Sequence, residues 1–294
     1  MVDSLGRPLR YTSLFCLFFA RVAPNSCVMI ELLSLSKKYG DFTAVDSLEF
    51  RVERGEIFGF LGPNGAGKTT TLRMLMGILV PTSGHAKING YDCQKDSARV
   101  KRIIGYLPDQ PSFYDYLRGR EILSFVCEMH GFSRQEAVAR SSEWIKKFGL
   151  KEHADDFAIN YSLGMKKRLG LAMAMVHEPK VLILDEPLNG LDPRGAHEIQ
   201  NELRVFAKSG GTVLLSTHLL DVAQKICSRV AIIDHGKLKA VDSISNLIKF
   251  AGSPRSREAA SSSLKSDNAG DSSNQNVDAP SETLESLFLR MTES

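Results

Sequence analysis

Gly62-Pro63-Asn64-Gly65-Ala66-Gly67-Lys68-Thr69 is the stretch on which the reading of this chain turns. It fits the pattern G-x-x-x-x-G-K-[ST], follows the apolar run 56–61 (EIFGFL) and opens a helical pattern over residues 70–79. Glycines let the backbone wrap closely, so that successive N–H groups point inward at an anion, and the helix that follows adds its positive N-terminal end. In such a loop Lys68 reaches the β- and γ-phosphates, the Thr69 hydroxyl binds Mg²⁺, and Thr70 carries the phosphate-contacting set into the helix.

Working outward, two further apolar runs end in polar residues. Residues 181–184 (VLIL) deliver the adjacent carboxylates Asp185 and Glu186, and residues 212–216 (TVLLS) lead to Thr217 and His218. All three runs are apolar enough to be strands buried on both faces, and ligands of open parallel sheets gather at such strand ends. An acidic pair after a strand is by itself an ordinary solvated turn. With a phosphate loop in the same sheet it divides the labour: Asp185 holds Mg²⁺ and Glu186 polarises the water that attacks the γ-phosphate. From 30 to about 250, β-rich runs alternate with helical patterns, which predicts an α/β fold. Mixed three and four spacings of Leu117, Glu121, Phe125, Trp144, Ile145 and Phe148 place an inserted helical lobe at about 115–170.

Residues 161–169 (YSLGMKKRL), just ahead of the Asp185-Glu186 strand, narrow the choice. The order of Tyr39, the phosphate loop, a turn at Asp109 and Gln110, this Ser-x-Gly segment, Asp185-Glu186, Gly190-Leu191-Asp192 and Ser216-Thr217-His218 resembles the nucleotide-binding subunit of an ABC transporter. The resemblance covers residues 30 to about 240, and YSLGMKKRL with IGYLPDQPSFYDYLRGRE is similar to the bacterial ABC-2 type exporters. It implies a P-loop NTPase fold of the ABC ATPase type, with a mixed-sheet core, an N-terminal antiparallel β subdomain and the inserted lobe.

The resemblance also implies a mechanism. Two such subunits, alike or different, dimerise head to tail, and each ATP lies between the phosphate loop of one and the signature segment of the other. Ser162 and Gly164 then face the partner's γ-phosphate, Asp192 couples the two sites across the interface, and His218 contacts the γ-phosphate and holds the attacking water. The helix expected to follow the signature spans residues 165–177. Tyr39 either stacks on adenine or simply packs. The position that normally carries Gln falls on Asp109, with Gln110 beside it, and either is a candidate for Mg²⁺ and the attacking water. Leu163 and Met165 stand where the family's Leu-Ser-Gly-Gly-Gln carries Gly and Gln.

Residues 111–116 (PSFYDY) set Phe113, Tyr114 and Tyr116 after Pro111 beside that turn. The resemblance assigns this surface to a multi-span permease subunit, while packing under the lobe is the plainer use of the same aromatics. The expected function is an ATP-hydrolysing subunit that powers a separately encoded permease, located in the cytoplasm on the inner face of the membrane. The alternative is an ABC-fold ATPase that acts as a soluble regulator or mechanical ATPase.

Composition bounds these readings. The 294 residues are 43% hydrophobic and 24% charged, within the globular range. A net charge of +3 is too small a surplus for nucleic-acid phosphates to be the main partner. Five cysteines without a CxxC pair suit a reducing compartment. Residues 14–20 (LFCLFFA) follow Arg7 and Arg10 like a secretory signal, but Arg21 spoils the cleavage site, so residues 1–28 are read as a disordered leader or an upstream-start artefact. Residues 253–282, rich in Ser, Asp and Asn, read as a flexible linker, and 283–294 as a short C-terminal helix.

Overall fold

The computed structural model describes residues 27–251 and 284–292. Of the leader read at 1–28, only Cys27 and Val28 fall within these bounds, and the linker read at 253–282 lies outside them.

Strands β1 (Val28–Tyr39) and β2 (Phe42–Glu53) form an antiparallel hairpin in which Leu32 faces Phe50 and Tyr39 faces Phe42. In β2, Leu48, Phe50 and Val52 are buried while Glu49, Arg51 and Glu53 are exposed, the alternation of a sheet with one wet face. Strands β4 (Ser83–Ile88) and β5 (Tyr91–Asp92) extend it, in the order β2-β1-β4-β5.

The second sheet runs β10-β9-β3-β8-β7-β6, with β3 (Ile57–Leu61), β6 (Ile104–Leu107), β7 (Val181–Asp185), β8 (Thr212–Thr217), β9 (Arg229–Asp234) and β10 (Lys237–Ser243). Only β10 is antiparallel to its neighbour. Every residue of β3, β7 and β8 is buried, as expected of parallel strands covered on both faces. One core lies between the two sheets, with the Phe50 and Phe58 rings stacked 5.4 Å apart. The other lies on the opposite face, where Leu182, Leu184, Val213 and Leu215 meet Leu169, Leu171 and Leu203.

Nine α-helices complete the described residues. Helix α1 (Lys68–Leu75) follows β3, and α2 (Ser97–Ile103) precedes β6. The lobe consists of α3 (Gly119–Met129) and α4 (Arg134–Lys147), the latter opened by a capping box in which Ser133 and Glu136 bond each other's backbone. Next come α5 (Leu163–Met175), α6 (Pro193–Lys208), α7 (Leu220–Ile226) and α8 (Ile244–Ala251). Finally α9 (Leu284–Thr292) buries Leu284, Leu287 and Phe288 against Ala223, Val230 and Leu247.

Two helices differ from expectation at both ends. Helix α1 begins at Lys68, because Gly67 already serves as its N-cap, and it stops at Leu75, short of residue 79. Helix α5 begins at Leu163, because the Ser162 hydroxyl accepts from the Met165 N–H, and it ends at Met175, short of residue 177 and two residues after Met173 in a stretch that Pro179 closes.

Candidate phosphate-binding and hydrolytic site

Because β3, β7 and β8 run parallel, their carboxyl ends deliver three motifs to one edge. Strand β8 lies between the other two, with Leu61 opposite Thr217 and Asp185 opposite Ser216. The loop after β3 turns into α1 through Gly67, whose φ of +102° a side chain rarely adopts and whose Cβ would stand 2.5 Å from the Ala44 carbonyl oxygen. Lys68, buried, donates to the carbonyls of Gly62 (2.6 Å) and Pro63 (3.1 Å), and its ammonium lies 3.5 Å from Glu186 Oε1. Within the loop the Ala66 N–H closes on the Pro63 carbonyl at 3.2 Å, while Asn64 and Gly65 at its tip are exposed. Thr69 Oγ1 donates to Asp185 Oδ2 at 2.8 Å, and Thr70 is half-buried beside it.

Asp185 is buried, and its second oxygen accepts a short hydrogen bond from Ser216 Oγ. Glu186 follows with φ +47°, a left-handed conformation that costs a non-glycine residue about 1–2 kcal/mol. Both sides of its backbone are held: its N–H donates to the Ser216 carbonyl (3.1 Å), and its own carbonyl accepts from Lys167 Nζ (2.8 Å). The result aims the Glu186 carboxylate at His218, whose Nδ1 lies 2.9 Å from Oε1. Oε2 is buried with no hydrogen-bond partner. Two adjacent buried carboxylates are tolerable here because the Lys68 ammonium lies beside Glu186 while the Thr69 and Ser216 hydroxyls donate to Asp185. Burial pushes the Lys167 ammonium below the usual lysine range, against the pull of Asp109, Glu186 and Asp185.

The remaining candidates lie apart from this cluster or only at its margin. Asp109 Oδ1 is 3.3 Å from Lys167 Nζ, so it shares that lysine with Glu186, whereas Gln110 is exposed. Ser162 and Asp192 are exposed N-caps of α5 and α6, the Asp192 carboxylate accepting from the Gly195 N–H at 3.4 Å. Gly164 sits in the first turn of α5. No hydrogen bond joins Ser162, Gly164 or Asp192 to the phosphate loop among the described residues. Leu163 lies over Gly190, whose φ is +75° and whose Cβ would meet Leu163 Cδ2 at 2.6 Å, so the signature and Asp192 turns are packed together. Tyr39 is exposed at the end of β1, with the Lys37 ammonium 5.2 Å above its ring. Tyr114 and Tyr116 are 70% and 77% exposed, so they do not pack beneath the lobe. They flank open apolar grooves, one of about 410 Å³ lined by Phe113, Tyr114, Leu117, Phe125, Met129 and Met173.

Two site residues escaped the sequence reading. Ser216 was quoted only as context for His218. Lys167 lay hidden in a basic run; its one signal is helical phase, since it precedes the buried Gly170, Leu171 and Ala174 by three, four and seven residues.

A phosphate loop at the end of β3, an Asp-Glu pair at the end of β7 and a Ser-Thr-His segment on the strand between them define the nucleotide-binding cassette class of P-loop proteins. The family model described as ABC transporter matches residues 45–189. The chain belongs to the ABC transporter family. It is 37% identical over 266 residues to the "Probable multidrug ABC transporter ATP-binding protein YbhF" of Escherichia coli (strain K12), covering 90% of this chain and 41% of that protein. The chain thus spans less than half the length of that relative. It is 41% identical over 211 residues to the bacitracin transport ATP-binding protein BcrA of Bacillus licheniformis, covering 71% of this chain and 68% of that one. A solved structure described as the ATP-binding subunit of an ABC transporter superposes with a TM-score of 0.71 at 29% identity, covering 79% of this chain and 98% of the other.

Proposed function

We propose that this chain binds MgATP, hydrolyses it and thereby powers a separately encoded ABC-2 type permease, in the direction of export. The observation that carries the reading is the Glu186 carboxylate, buried at the mouth of the phosphate loop, 2.9 Å from His218 Nδ1 and 3.5 Å from Lys68 Nζ.

The loop N–H groups of residues 62–70 receive the phosphates, and Lys68 meets their β- and γ-oxygens. Glu186 accepts a proton from the attacking water, while His218 fixes the carboxylate and touches the γ-phosphate. Thr69 Oγ1 and Asp185, hard oxygens 2.8 Å apart, fit Mg²⁺. Held there, Mg²⁺ would supply charge neutralisation on the transferred phosphoryl group. Asp109 and Gln110 stand as the residues that sense the ion and water.

Tyr39, half exposed, is free to stack on adenine. The exposed Ser162 hydroxyl, Gly164 N–H and N-terminus of α5 serve the γ-phosphate bound by a second cassette, with Asp192 crossing the interface. The groove lined by Tyr114, Tyr116, Leu117 and Phe125 receives the permease, which holds the chain on the cytoplasmic face of the membrane. No helix among the described residues is long and apolar enough to cross a membrane itself. The test is purification of the tagged chain from detergent-solubilised membranes of its own host. Co-purification of a stoichiometric multi-span protein supports the subunit reading. Recovery without a membrane partner favours the soluble-regulator alternative.

A further inference from the structure

Among the described residues Lys167 is the largest charged side chain withdrawn from solvent, 1% exposed, although it follows Ser162, the exposed N-cap of α5, by only five residues. A lysine is expelled from water only against a cost of several kcal/mol unless its donors are satisfied. Here they are, and by two groups of the hydrolytic site: the Glu186 carbonyl at 2.8 Å and Asp109 Oδ1 at 3.3 Å. Neither contact is with a phosphate-binding residue.

The consequence lies in the backbone of Glu186. Its φ of +47° is unfavourable for a residue with a Cβ, and only its surroundings keep it there. Ser216 grips the N–H side through its carbonyl (3.1 Å) and its hydroxyl (3.2 Å); on the carbonyl side Lys167 makes the shorter contact (2.8 Å) and the Asn189 N–H the longer one (3.3 Å), and Lys167 supplies the only side chain there. Without the ammonium that side is left with the 3.3 Å Asn189 contact alone, which weakens the hold on an unfavourable backbone well and on the carboxylate's 2.9 Å contact with His218. Because Lys167 rides on α5, whose N-terminus carries Ser162, any shift of that helix is felt at the Glu186 carbonyl and at Asp109 through one ammonium.

We propose that Lys167 is a positioning residue for hydrolysis, fixing the aim of Glu186 and tying it to Asp109 and to the helix that carries Ser162. This rests on the assignment of Glu186 as general base. It touches no nucleotide, so its removal separates turnover from binding.

The experiment is MgATP hydrolysis by the full chain carrying Lys167→Met, Lys167→Gln, Glu186→Gln and the double change Lys167→Met with Glu186→Gln. Lys167→Met is expected to lower kcat about tenfold or more with KM within about threefold of wild type. Lys167→Gln, which keeps a donor for the Glu186 carbonyl, restores most of that loss. In the Glu186→Gln background, Lys167→Met costs less than about twofold more, because the aim of an absent base no longer matters. A purely structural lysine gives the same loss in both backgrounds. The role is overturned by kcat within about twofold of wild type, by equal losses in the two backgrounds, or by a KM that rises as kcat falls. Should Lys167→Met melt below the assay temperature, Lys167→Ala takes its place in both backgrounds, assayed below its own melting temperature and read by the same criteria. A wild-type chain that turns over no MgATP removes the assigned function and this role together, whereas normal wild-type turnover with a silent Lys167→Met removes only this role.

Discussion

At the carboxyl ends of β3, β7 and β8, Asp185, Glu186, Lys68 and Ser216 are all buried and cross-bonded. At the N-termini of α5 and α6, Ser162 and Asp192 are exposed and bond only their own first turns. Both regions have donors suited to phosphate, but the first is enclosed by its own chain and the second is open. On the function proposed above, the difference reads as a finished half of a nucleotide site and a separate, outward-facing half that a second chain would complete. Buried polar networks act as units, whereas exposed caps are nearly free to serve an incoming surface.

Substitutions on the two sides should therefore fail differently. The largest effect is expected from Glu186→Gln, which keeps the site's shape but removes the base. Turnover falls about 100-fold or more while ATP affinity, read by equilibrium titration, stays within about threefold. Next, Ser162→Arg blocks the outward half. ATP affinity of the isolated chain stays within about twofold, ATP-dependent association is lost, and turnover drops about tenfold or more. Loss of ATP affinity in that variant would break the comparison, since it would place Ser162 within the chain's own site.

The smallest effect probes the seam where α3 and α5 meet β6. The His130 and His177 rings stack at 3.8 Å, and His177 Nε2 donates to the Ile104 carbonyl at 2.9 Å. Burial, reinforced by the neighbouring His130, pushes His177 down to about 4. With the folded value below the unfolded one near 6.5, the unfolded chain takes up the proton first, so stability is intact above pH 6.5 and is lost as pH falls toward 4. Between pH 7 and 5 this linkage amounts to about 2 kcal/mol. His177→Gln, which keeps a donor for Ile104, should flatten that part of the profile in denaturant melts. An unchanged slope would assign the acid sensitivity to other groups.

Much of the enclosed half was legible in the sequence, because its chemistry sits where a periodic apolar run stops: Leu61 before the loop, Leu184 before Asp185, Ser216 before Thr217 and His218. What was not legible depends on contacts between segments distant in the chain. Helical phase alone marks Lys167, within a basic run, as turning inward, and nothing in a Ser-Thr-His segment says that Ser216 holds Asp185. The helix starts were misplaced by two residues because Gly67 and Ser162 act as caps, which hydrophobic periodicity does not register. The open half was legible only through its family resemblance, as a cap looks the same whether or not a partner's phosphate is meant to meet it.

Sedimentation velocity of the Glu186→Gln chain, with and without saturating MgATP, tests the division into two half-sites most directly. The account predicts a monomer without nucleotide, a two-chain species with MgATP, and no such species when Ser162→Arg is added. A chain that stays monomeric with ATP bound, while the wild type hydrolyses ATP at a rate per chain independent of protein concentration, would contradict it.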